Sequence, residues 1–117
     1  DAAVVAAVLQ LAGSALPGAR RAVVMAVQEV TSKGDAAVIS ALADLARDDP
    51  DWSVRAAVAR AMPSVAARGD EAACACLSRL LQDINGVVRG VAAGAIAHVA
   101  ATPSGPFARD LATPRRG

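Results

Sequence analysis

Aromatic side chains are almost missing from this chain: its 117 residues hold one Trp, one Phe and no Tyr. That argues against the interleaved aromatic platforms on which nucleic-acid bases stack. Histidine is equally scarce. His98 stands alone, which removes paired-histidine metal sets and leaves nucleophilic triads without a patterned partner. A charge excess is lacking too. Twelve basic and 11 acidic residues give a net charge of +1, too balanced to imply nucleic acid or an anionic membrane on charge alone. No uncharged apolar run reaches the roughly 18 residues of a membrane-spanning helix. No basic region precedes the first apolar run, so it does not read as a signal peptide. With no initiator Met, the chain reads as processed or as a fragment of something longer.

Only two cysteines occur, Cys74 and Cys76. Two residues apart on a helix, they point about 200° away from each other, a poor geometry for a disulfide. They align with Ile39 and Ala41 one period earlier, so both fill apolar slots as buried thiols; a metal or redox role is the alternative. Reduced thiols favour an intracellular setting.

What the chain does have is alanine, 31 residues of it, with Val and Leu making up most of the rest of the apolar content. Alanine is the best helix former and lets helices pack closely. No alternating β-branched or aromatic runs bounded by hairpin turns appear. The fold class is therefore all-α.

A period of 34–35 residues runs through nearly the whole sequence. Asp1, Asp35 and Asp70 each open a helical run, and Arg20, Arg55 and Arg89 each lie near the start of a second one. Such a period marks a stacked helical repeat in which each unit buries its apolar face on its neighbours. Six helices follow, over about 1–12, 19–32, 36–47, 52–67, 71–82 and 87–101. The third, fourth and sixth carry core stripes: Val38, Ile39, Leu42, Leu45 and Ala46; Val54, Val58, Ala61, Met62 and Val65; Val88, Val91, Ala92, Ala95, Ile96 and Val99. The second is expected to bury Val23, Val27 and Val30. Lys33 and Gly34 suit its C-terminus, and Asp35 and Asp70 suit N-caps. Pro63 should kink or split the fourth helix. The repeats are expected at about 1–34, 35–69 and 70–101, with 102–117 a partial further helix (Phe107–Ala112) and a basic tail.

The turn-to-helix segments narrow the repeat type. Leu45–Ala46–Arg47–Asp48–Asp49–Pro50–Asp51–Trp52–Ser53–Val54–Arg55–Ala56–Ala57–Val58 resembles the inter-helix segment of HEAT repeats, and Leu80–Leu81–Gln82–Asp83–Ile84–Asn85–Gly86–Val87–Val88–Arg89–Gly90–Val91–Ala92 resembles it again. The first unit keeps only Ala19–Arg20 and Ala22–Val23. The Trp, Gly and Tyr positions of tetratricopeptide repeats and the Thr-Pro-Leu-His turn of ankyrin repeats are not met, and armadillo units carry a third helix. The resemblance covers about residues 1–101. It implies a right-handed α-solenoid of about three HEAT-like helix pairs, an armadillo-type superhelix. It also implies an inter-repeat ladder of Asp48, Arg55, Asp83, Arg89 and Arg20, in which each Arg reaches a turn carboxylate or carbonyl of its own or the adjacent repeat. The candidate pairs are Asp48 or Asp51 with Arg55, and Asp83 with Arg89. Arginine forks suit partly buried ion pairs; ligand binding is the other reading of these arginines.

The function expected of such a chain is a non-catalytic protein–protein interaction scaffold, a fragment or subunit of a larger assembly. It is expected to be no enzyme, to need no cofactor, and to have neighbouring subunits as partners. Trp52 either staples the start of the fourth helix or is an exposed anchor. Second helices line the concave face of HEAT solenoids, so Gln28, Arg60, Ser64, Gly94 and His98 are expected to share that face. Gly86, Gly90 and Gly94, four apart, make a smooth groove for a neighbouring helix or for a partner's helix or a flat ligand. Two alternatives remain. HEAT-like repeats also occur in phycobilin lyases, which hold a tetrapyrrole, so a lyase- or chaperone-like accessory is one. A nucleic-acid-binding solenoid is the other, with Arg20, Arg21, Arg60, Arg115 and Arg116 as its cations and a steep loss of affinity with salt as its signature.

Overall fold

Asp35 and Asp70 hold the backbone extended and turn their carboxylates onto the first free amides of the helix that follows. Asp35 accepts from Ala37 and Val38 (3.0 and 3.1 Å), and Asp70 from Ala73 (2.9 Å). Asp51 and Asn85 do the same for the second helix of their units, accepting from Ser53 and Val87 (both 2.8 Å). These caps satisfy amides that have no partner inside the helix. In the first unit Leu16 is the cap residue and offers no side-chain bond, but Pro17 fixes the first turn.

The computed structural model of the chain describes residues 2–13 and 16–100. Among them are six helices and no strand: α1 (Ala2–Ala12), α2 (Pro17–Val30), α3 (Ala36–Asp48), α4 (Trp52–Val65), α5 (Glu71–Leu80) and α6 (Gly86–Val99). They pair as α1–α2, α3–α4 and α5–α6, and like helices stack on like, α1–α3–α5 and α2–α4–α6. The result is an α-solenoid two helices thick, with a shortest dimension of 18 Å, about twice the spacing of packed helices. The core lies between the layers. Ile39, Leu42, Met62 and Leu77 are its largest fully buried side chains, set among Val8, Val24, Val38, Val54, Val58, Val65, Val88 and Val99. In central α4, flanked by α2 and α6, Ala56, Ala57, Ala59 and Ala61 are all buried. Methyl-sized side chains let the backbones come close on both sides.

Several sequence expectations change. Val24, not Val30, joins Val27 in the core of α2, and Val30 is exposed, because α2 ends there and its last turn passes the edge of the layer. Pro63 does not split α4, which stays helical through it to Val65. Only one amide is lost, and the helix ends two residues later. Gly34 does not cap α2, whose cap is Thr31. It stands before Asp35 at φ +89°, and Gly69 at φ +83° occupies the matching place. That conformation aims each amide at the last carbonyl of the next unit's second helix, Gly34 at Val65 (2.8 Å) and Gly69 at Val99 (2.6 Å). A methyl on Gly34 would have room, the nearest atom lying 3.8 Å away, so backbone strain decides the outcome. Gly34→Ala is expected to lose about 1–2 kcal/mol of stability, the left-handed penalty of an L-residue, checked by urea unfolding. The expected helix at Phe107–Ala112 and the basic tail lie outside the described residues.

Candidate functional site

The inter-repeat ladder is the most ordered polar feature, and its rungs differ from the expected pairs. Arg20 reaches forward to the turn of the second unit and grips Asp49 with both arms, Nε to Oδ2 at 2.6 Å and Nη2 to Oδ1 at 3.0 Å. Arg55 grips Asp83 of the third unit in the same way, at 2.7 and 3.0 Å. A third nitrogen of Arg55 donates to the Asp49 carbonyl of its own turn (2.9 Å), and Arg89 does this to the Asp83 carbonyl (2.6 Å). The carboxylate forks of Arg20 and Arg55 therefore join consecutive turns, while the bonds inside one turn go to carbonyls, among them the expected pairing of Arg89 with Asp83. At the start of a second helix the side chain runs along the stacking direction, where the next carboxylate lies. Asp48 is not in the ladder; it is exposed and pairs with Arg47 (3.1 Å). Asp51 is occupied in capping α4. Asp49 was missed, although one signal marks it: a full period of 34 residues separates it from Asp83, whereas the residue 34 beyond Asp48 is Gln82.

Each rung carboxylate also shapes its own turn. Asp49 accepts from the Asp51 amide (2.9 Å) and Asp83 from the Asn85 amide (2.8 Å), placing the cap residue. Both rungs are shielded, with side chains of Arg20 and Asp49 at 8% and 1% exposure and of Arg55 and Asp83 at 12% and 8%. The guanidinium of Arg55, bonded to Asp83, holds that carboxyl below its ordinary range against the opposing effect of burial. The Arg20 and Arg55 guanidinium groups are raised in turn by their aspartates. Arg20, Arg55 and Asp83 stay ionised near neutral pH, and bidentate pairing suits fixing geometry rather than proton transfer.

The other candidates spread over the surface. Arg60, Ser64 and His98 are all exposed on second helices, with Gln28 half-buried. The repeat puts Ser64 and His98 in one row with Glu29, and Arg60 in another with Met25 and Gly94. That outer face mixes an acid, a base and an apolar side chain, without a basic track. Trp52 begins α4 and is 46% exposed. Leu16, Ile84 and Val87 on the neighbouring turns are exposed too, so the turn edge carries apolar groups in every unit. The expected seat at Gly90 and Gly94 is open, since an added methyl at either meets no atom within 4 Å. Cys76 is buried and Cys74 half-buried, both free. Burial pushes the Cys76 thiol up to about 11, which makes it unreactive at neutral pH.

Among the described residues, no group of three or more His, Cys, Asp or Glu is placed to hold a metal, and no helix is long and apolar enough to cross a membrane. A depression of about 420 Å³ opens beside α1 and α3, lined by Leu9, Arg20, Ala41, Asp44, Leu45, Asp48, Asp49 and Pro50. The arginine there is already committed to Asp49, and Trp52 is not part of it.

No curated protein and no solved structure matches the chain. The family model for HEAT repeats matches residues 5–97. Two stacked layers of helices, turn aspartates gripped by the preceding unit's arginines and a match over most of the sequence together make this chain a member of the HEAT-repeat family.

Proposed function

We propose that the chain is a non-catalytic scaffold that binds other proteins as part of a larger assembly, with its repeat domain over residues 1–101. HEAT repeats are commonly protein-interaction scaffolds. The observation that carries the reading here is the set of exposed apolar groups at the turn into each second helix: Ile84 is 93% exposed, and Leu16, Trp52 and Val87 are exposed too. Tryptophan is the side chain most enriched in interface hot spots. The mixed charge of the outer helix rows favours protein over a phosphate backbone.

Crosslinking followed by pull-down from native extract, with the full chain as bait, tests this. A stoichiometric set of partner proteins is expected, with recovery reduced about tenfold or more by Trp52→Ala, the scale of a hot spot, while the melting temperature stays unchanged. Recovery of nucleic acid or a pigment alone would overturn the proposal.

A further inference from the structure

The same crevice opens at both junctions between units, and its rim changes sign from one to the other. The first is the depression of about 420 Å³ between the first and second units. The second, of about 500 Å³, lies between the second and third. Asp35 and Asp70 set α3 and α5 at an offset of 35 residues, and Asp49 and Asp83 set the turns at 34. At those offsets the walls match: Leu45 answers to Leu80 and Pro50 to Ile84, and each crevice holds its own rung. The rims do not match. Where the first has Asp44 and Asp48, the second has Arg79 and Gln82.

The rungs, Arg20 with Asp49 and Arg55 with Asp83, neutralise themselves, so the rims decide what each crevice attracts. Asp44 and Asp48 remain on the first, Arg47 and Arg79 on the second. Asp44 and Asp48 share Arg47 (both 3.1 Å), and all three side chains are exposed. Exposed pairs hold weakly and can be exchanged for a partner's charge. Arg79 is exposed as well, and among the described residues no carboxylate forms an ion pair with it. Below the rims the walls are apolar, with Leu9 and Leu45 in one crevice and Leu80 and Ile84 in the other. Such walls take the methylenes of a long charged side chain and leave its head at the rim.

We infer that the two crevices bind one extended segment of a partner protein, which sets a lysine or arginine in the first and a glutamate or aspartate in the second. This rests on the scaffold reading and deepens it by giving the partner's charge pattern. Stacked helices lie about 8–10 Å apart, so the crevices are one such step apart. A polyproline-II chain covers about 9 Å in three residues and then presents the same side again. The segment therefore carries its opposite charges about three residues apart. A phosphate backbone, negative throughout, suits only one of the two rims.

The probes are end-blocked, fluorescently tagged peptides, Lys-Pro-Pro-Glu and Glu-Pro-Pro-Lys, with Lys-Pro-Pro-Lys and Glu-Pro-Pro-Glu for comparison. Each is titrated onto the full chain at low salt and read by anisotropy. At least one mixed peptide should bind more tightly than both uniform ones by about fivefold, the scale of one exposed ion pair. Arg79→Asp combined with Gln82→Asp makes both rims acidic at exposed positions, and should turn the preference to Lys-Pro-Pro-Lys. No binding below about 1 mM, equal binding of mixed and uniform peptides, or a preference that the double variant leaves unchanged would overturn the inference. Self-association of the chain that the double variant abolishes, measured by sedimentation, would also overturn it by giving the crevices to a second copy. In the pull-down above, partners lost with Trp52→Ala but kept by the double variant would sink this inference alone and leave the scaffold standing.

Discussion

Leu42→Ala is expected to lower the free energy of unfolding by about 3–5 kcal/mol, the upper part of the range for a buried leucine. Leu42 in α3 is fully buried between the layers. Its surroundings make the truncation severe. With one tryptophan and one phenylalanine in the sequence, most of the core is Ala and Val, and only a few long side chains fill the space between layers. Alanine methyls have no torsion that would let them move into the cavity, and the close helix contacts of α4 prevent collapse of the backbone. Leu9→Ala is the control. Leu9 on α1 is 58% exposed, so its loss should stay within about 0.5 kcal/mol. Urea unfolding followed by circular dichroism measures both, and equal losses for the two variants would show that the buried volume is not where the structure places it. Neighbouring units share this core, so the weakened middle should also broaden the transition as the ends uncouple.

The second large effect is expected for Asp83→Ala, about 3 kcal/mol, the lower end for one-sided removal of a buried ion-pair partner. The substitution leaves the shielded Arg55 fork without its carboxylate and takes the acceptor from the Asn85 amide. Asp48→Ala should change stability by less than about 0.5 kcal/mol, because its pairing with Arg47 is exposed. The pair of variants separates the ladder from surface charge. Acid should act through the same groups. Asp83 is held below its ordinary range by Arg55, and Asp51 by the Ser53 hydroxyl and amide, while an unfolded aspartate titrates near 3.9. The unfolded state therefore takes up protons first as pH falls. The stabilisation is complete above about pH 5 and is lost progressively from about pH 4 toward the lowered folded values. Unfolding curves from pH 7 to pH 3 should fall less steeply below pH 5 for Asp83→Asn than for the unaltered chain. Parallel curves would remove Asp83 from the acid response.

Helix caps and core stripes were readable because they are local. Asp35 and Asp70 announce helices within three residues, and Val54, Val58, Ala61, Met62 and Val65 recur at helical spacing whatever packs on them. The ladder was readable only in kind. Which of three aspartates near residue 50 accepts an arginine depends on where the previous unit's α2 points; within the local segment nothing distinguishes Asp48 from Asp49, and only the 34-residue spacing to Asp83 does. The open face at Gly90 and Gly94 lay in the same blind spot. Glycines spaced four apart serve a covered and an uncovered helix equally, so only the neighbour's place tells them apart.

The sequence by itself determined the helical class, the 34–35-residue period and the family, because backbone propensity, capping and amphipathic spacing act over a few residues and recur in each unit. Tertiary structure decided the rest. It turned Arg20 and Arg55 toward the next unit, buried Asp49 and left Asp48 in solvent, moved the α2 core from Val30 to Val24, and kept Arg89 and the face of α6 uncovered. Those outcomes are set by contacts between residues some 30 positions apart, whose geometry follows from how the layers stack.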